Sequence, residues 1–117
     1  MGDAWNGSRV ADDATVSNSL LGKKCRIWSR ACLIDSHVGD GASVGDDACV
    51  LRSRLESHTS INRRNFVNDS SVGSMTYTGV GTSVHKADIG KFCSIASGVE
   101  LGGADHDYTA VSTYTKE

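Results

Sequence analysis

The 117-residue chain has no proline, and only seven of its residues are aromatic. With so few rings, the core must be built from small aliphatic side chains. No stretch approaches the ~18 consecutive apolar residues of a membrane-spanning helix. Neither sign of charge dominates, at 12 Lys+Arg against 14 Asp+Glu. Lys23, Lys24 and Arg26, like Arg63 and Arg64, are small clusters and not a basic face, which argues against nucleic acid as a partner. The first residues, "MGDAWNGSRV", lack the basic and apolar regions of a secretory signal, so a cytoplasmic location is expected. The sequons at Asn6 and Asn68 then carry no meaning. Four cysteines (Cys25, Cys32, Cys49, Cys93) show neither C-x-x-C pairing nor zinc spacing and read as free thiols. The length suits a single domain.

What the chain does have is a repeat. Val10, Val16, Leu21, Ile27, Leu33, Val38, Val44, Val50, Leu55, Ile61, Val67, Val72, Thr78, Val84, Ile89, Ile95 and Leu101 follow one another in steps of six, six and five that recur cyclically. Sixteen of these 17 positions hold Val, Ile or Leu, types that supply only 22 residues of the chain, so chance is excluded. Each cycle is 17 residues long and has three columns. Two residues before each tooth of this comb stands a second ladder of mostly small residues, such as Cys25, Ala42 and Thr59, or Ala31 and Ala48, or Ser19, Ser36, Ser53 and Ser70.

A spacing of two between inward residues is the strand period. Three short strands per cycle, separated by tight turns, close a triangular coil, and successive coils stack as parallel strands. Large teeth alternate with small neighbours because the bore is narrow. Helix is excluded, since the step pattern does not match a period of 3.6. The third column is followed by Gly22, Gly39, Glu56, Gly73 and Gly90. These glycines are read as serving a sharp corner of the short five-residue side that calls for positive φ.

The stretches "VGDGASVGDDACV" and "IGKFCSIASGVELGG" resemble the hexapeptide repeat, an aliphatic residue followed by G-x-x-small-x. The resemblance covers roughly residues 10–103. It implies an all-β fold, a left-handed parallel β-helix of about five to six coils, preceded by a cap segment (1–9) and followed by a C-terminal loop or tail (104–117). The family includes acyltransferases, nucleotidyltransferase tails, γ-class carbonic anhydrases and plain scaffolds, so the fold alone does not decide function. The carbonic anhydrases place two zinc histidines five residues apart. His37, His58, His85 and His106 offer no such pair, and no metal is expected. The first three fall off the inward ladders and read as solvent-facing. Arg52, Arg54, Arg63 and Arg64 are likewise read as an outward strip near Glu56. Cys32 and Cys49 occupy equivalent places in consecutive coils and should stack as neighbours.

The segment "GKFCSIASGVELGGADHDYTAVSTY", preceded by "RRNFVNDSSVGSMTYTG", resembles the antibiotic and saccharide O-acetyltransferase branch of that family. In that branch an IGKFCSI-type coil leads into a G-G-A-N-H loop whose histidine is the catalytic base, and it falls on His106. The resemblance implies acetyl transfer from acetyl-CoA, a cosubstrate and not a covalently held group, to a hydroxyl of a small-molecule acceptor. Neutral imidazole, with an ordinary pKa near 6.5, suits removal of the hydroxyl proton. Asp105 and Asp107 are the candidates to orient the ring. Asp105 stands where the family has Asn.

Family members continue with further coils, often containing proline, that supply much of the coenzyme A groove. "STYTKE" and the missing proline fit a form shortened at the C-terminus, and no cofactor-binding residue can be assigned. The alternative is a non-catalytic β-helix, a scaffold or small-molecule-binding protein. A homotrimer is expected for either, with Trp5, Trp28 and Phe66 as candidates for capping and subunit contacts.

Overall fold

In the second to fifth coils three residues each adopt the left-handed conformation, and they turn the corners. The computed structural model describes residues 7–102 in full, and residues 2–3 and 103–108 by their backbone course only. Positive φ recurs every 17 residues in three columns: Lys24, Gly41, His58, Met75 and Phe92; Arg30, Asp47, Arg64, Gly81 and Gly98; and Asn18, Asp35, Arg52, Asp69 and Lys86. A side-chain-bearing residue pays roughly 1–2 kcal/mol for that conformation. Stacking offsets part of it. At nearly every corner the left-handed residue donates its N–H to a carbonyl of the coil before, as in Arg52 N to Ile34 O (2.9 Å), His58 N to Asp40 O (2.8 Å) and Arg64 N to Asp46 O (2.9 Å).

Between the corners run strands of two or three residues, in register with the equivalent strands one coil away and parallel to them. The first side stacks Arg9–Val10, Arg26–Ile27, Ser43–Val44, Ser60–Ile61, Tyr77–Thr78 and Ser94–Ile95. The second begins at Thr15–Ser17, Cys32–Ile34 and Cys49–Leu51, and the third at Leu20–Leu21, His37–Val38 and Arg54–Leu55. Six coils make the left-handed parallel β-helix. Gly2–Asp3 pairs antiparallel with Arg9–Val10 and covers the open edge of the first side. Among the described residues no helix is long and apolar enough to cross a membrane.

Every tooth from Ile27 to Leu101 is buried. The inner ladder contributes more than small size. On the third side each serine hydroxyl donates to a carbonyl two residues back and accepts the N–H of the equivalent residue in the next coil. Ser53 Oγ donates to Leu51 O (2.7 Å) and accepts from Ser70 N (3.1 Å). Ser36 and Ser70 repeat the pattern, and the run ends where Ala87 N donates to Ser70 Oγ (3.1 Å). Buried N–H groups at this corner are thereby satisfied. The comb's one non-aliphatic tooth, Thr78, has a partner of its own. Its hydroxyl donates to Asn65 Oδ1, and Asn65 is itself the polar member of an otherwise small ladder. The Asn65 amide donates to Gly79 O (2.9 Å) and Arg63 O (3.1 Å), so both departures from the pattern are satisfied together inside the core.

One expectation is corrected. Gly22, Gly39, Gly73 and Gly90 do not have positive φ; the short five-residue corner lies between the second and third sides and is turned by Asn, Asp, Arg and Lys. The reason for glycine after the third column is close approach of coils. A Cβ on Gly39 would lie 2.7 Å from the carbonyl carbon of Glu56 and 2.7 Å from the nitrogen of Ser57.

Candidate functional site

The corner between the second and third sides joins the second tooth to the third in five residues, as from Leu33 to Val38 or Val84 to Ile89. In the last coil the strand Glu100–Tyr108 pairs with Ser83–Ile89, first with Leu101 opposite Val84 and Gly102 opposite His85. The register then slips. His106 stands opposite Ala87, Asp107 opposite Asp88 and Tyr108 opposite Ile89. Leu101 to Tyr108 is a step of seven residues, so this corner carries a two-residue insertion. Gly102 opens it with φ 126°, and a Cβ there would collide with the carbonyl of His85, which leaves glycine as the residue that fits.

Past the slip the chain remains in strand pairing as far as Tyr108. Three residues, Gly103 to Asp105, face the single Lys86 and absorb the slip. The expected base His106 and both aspartates, Asp105 and Asp107, lie on this strand. Their side chains are outside the described residues, as are Trp5 and everything from Thr109 onward.

Two hollows flank the insertion. On the third side a groove of about 560 Å³ is lined by Asp35, Arg52, Asp69, Lys86 and Asp88 among others. Ala87 and Asp88, the register partners of His106 and Asp107, are part of its wall. On the second side a depression of about 410 Å³ is lined by Phe66, Ser83, His85, Glu100, Leu101 and Gly102.

The edge between them is an ordered polar column. Arg52 grips Asp69 with a fork, Nε to Oδ1 at 2.8 Å and Nη2 to Oδ2 at 3.2 Å, and the same Nη2 donates to Asn68 Oδ1 at 2.7 Å. Hydrogen bonding to Arg52 holds the Asp69 carboxyl below its ordinary value and raises the guanidinium in turn. Asn68 Nδ2 lies 3.0 Å from His85 Nδ1, so the column reaches a residue that lines the second-side depression. The corner between the first and second sides has a similar rung, Arg30 Nε to Asp47 Oδ1 at 2.8 Å, but no insertion.

His37, His58 and His85 are exposed, as expected. His85 nevertheless lines the depression beside the insertion, which sequence reasoning missed. The available signal was its place in the comb, 17 residues before Gly102, where the repeat first fails. Arg52, read as part of an outward strip, is paired across coils with Asp69, while Arg54 lies 3.6 Å from Glu56 in its own coil. Trp28 and Phe66 are both exposed. Among the described residues no three His, Cys, Asp or Glu gather in a way that would hold a metal ion.

The class these features define is a left-handed β-helix with an irregular last coil. No protein-family model matches the chain, and no curated protein matches it in sequence. Solved structures do. PerB from Caulobacter crescentus, in complex with CoA and GDP-perosamine, superposes with a TM-score of 0.80 at 23% identity over 87% of this chain and 51% of its own. The acetyltransferase domain of PglB from Neisseria gonorrhoeae FA1090 gives 0.78 at 18% identity over 86% of this chain and 53% of its own. The same domain in complex with acetyl coenzyme A gives 0.75 at 19% identity, over 80% and 50%. The chain thus spans about half the length of these structures, and at such identities the likeness is one of fold.

Proposed function

We propose that this β-helix transfers acetyl groups from acetyl-CoA to a saccharide, with His106 as general base. The two-residue insertion in the last coil carries the reading. It departs from an otherwise regular 17-residue architecture, carries His106 in register with Ala87, and lies near two hollows, which supports a site for two substrates. Fold neighbours that hold CoA with a nucleotide-linked sugar, or acetyl coenzyme A, support it.

In the proposed reaction the imidazole of His106 takes the proton of the acceptor as its oxygen or nitrogen attacks the thioester carbonyl. The tetrahedral intermediate collapses with loss of the CoA thiolate, which recovers that proton from the imidazolium. Asp105 and Asp107 are proposed to orient the ring and favour its protonated form. The sequence resemblance favours a hydroxyl acceptor, whereas the C. crescentus neighbours are N-acetyltransferases. A cyclic trimer is proposed, in which an adjacent copy walls the cleft.

Titration of the full chain with acetyl-CoA and CoA by calorimetry tests the donor half, and hydroxyl and amino saccharides tested in turn identify the acceptor. Absence of heat at millimolar ligand would remove the acyltransferase reading and leave the non-catalytic β-helix. Light scattering that reports a monomer would remove the trimer.

A further inference from the structure

The four cysteines fall into two classes. Cys25 and Cys93 are buried ladder residues, at 0% and 2% exposure. Their sulfurs lie near backbone carbonyls, 3.1 Å from Gly39 O for Cys25 and 3.6 Å from Lys91 O for Cys93. Cys32 and Cys49 stand on the outer face of the second side, half-buried. They are direct register partners on adjacent parallel strands, in an outward column that continues to Thr15 on one side and Phe66 on the other.

Adjacent strands are about 4.8 Å apart, and disulfides span Cα separations of roughly 4.4–6.8 Å. Parallel pairing in register also directs both Cβ atoms to the same face, so the two sulfurs stand side by side.

We propose that Cys32 and Cys49 form a dithiol modification site that a low-molecular-weight disulfide, such as oxidised glutathione, closes to an intramolecular disulfide. The Cys32 thiolate attacks one sulfur of the reagent, breaking its S–S bond and releasing one glutathione thiolate. Cys49 then loses its proton to solvent and attacks the Cys32 sulfur, forming the Cys32–Cys49 bond and releasing the second glutathione. The protein pair gives up two electrons, and the reagent is reduced to two thiols.

Burial, and then Cys32 beside it, push the Cys49 thiol up to about 11. Once Cys32 is a mixed disulfide it no longer opposes ionisation of Cys49, and resolution becomes easier. The closed bridge ties the second coil to the third across one 17-residue repeat. It lies toward the Arg30–Asp47 corner, away from the insertion, and is independent of acyl transfer.

The test treats the full chain with oxidised glutathione, alkylates remaining thiols after denaturation, and measures intact mass and a non-reducing peptide map. The expected product has lost two hydrogens, carries a 32–49 cross-link and keeps two alkylatable thiols, Cys25 and Cys93. Its melting temperature should rise by roughly 5–10 °C. Cys32→Ser and Cys49→Ser should each remove the cross-link and the thermal gain while melting close to the reduced parent. A stable glutathione adduct without cross-link, a disulfide between chains, or a bridge to Cys25 or Cys93 would overturn the proposal.

Discussion

Replacing Ser53 with alanine removes a single oxygen from the inner ladder, and the consequences can be followed bond by bond. Leu51 O loses the Ser53 hydroxyl but keeps the N–H of Asp69 at 3.0 Å. Ser70 N, in contrast, donates to Ser53 Oγ at 3.1 Å inside a buried corner and would be left with no acceptor. An orphaned buried donor costs about 1–3 kcal/mol, and the small gain from a more apolar side chain offsets little of it. A net loss of about 1–2 kcal/mol corresponds to a melting temperature lower by about 4–8 °C in a domain of this size. Calorimetry on Ser53→Ala should show that loss, with Ser71→Ala, outside the ladder, as the control. Because coils contact only their neighbours, the damage should be local. Hydrogen exchange should accelerate most at the Ser70 amide. Equal stabilities of the two variants, with unchanged Ser70 protection, would show that small size and not the hydroxyl is what the ladder requires.

Asn65→Ala and Thr78→Val should each cost about 1–3 kcal/mol by stranding the other's polar group, while the double variant loses less than their sum; strict additivity in a denaturation cycle would contradict the buried pair. Gly39→Ala should destabilise by about 1–3 kcal/mol through overlap with the Glu56–Ser57 backbone, and a melting point that holds or rises would refute the close-approach argument. Asp69 should titrate below the ordinary 3.8 in carboxylate NMR and move back up in Arg52→Gln. Its depressed value means that the stability it contributes is present above the ordinary carboxylate range and is lost as pH falls through the lower, folded-state value. An Asp69 titration unaffected by the arginine substitution would break that assignment.

The architecture was legible because a β-helix writes its geometry into the spacing of its teeth. Sixteen aliphatic positions in one cyclic pattern define the sides, the register and the stacking of Cys32 on Cys49. Corners were harder to read. Left-handed residues such as Arg52, Met75 and Phe92 carry no glycine or asparagine signature, and glycine marked coil proximity instead. Ser36, Ser53 and Ser70 registered as small, while their role as acceptors for the next coil depends on a carbonyl and an N–H that sequence does not place. Near the candidate site the comb showed where regularity fails, at Gly102. The slip that sets His106 opposite Ala87, a residue of the groove wall beside Lys86 and Asp88, required the strand pairing.

The most direct test of the central claim is release of the CoA thiol from acetyl-CoA by the full chain, with saccharide acceptors present and absent, for the parent and for His106→Ala. The account predicts acceptor-dependent release that falls by about 10²–10⁴-fold in the variant, with the fold intact. No acceptor-dependent release by the parent, or equal rates for the two proteins, would contradict it.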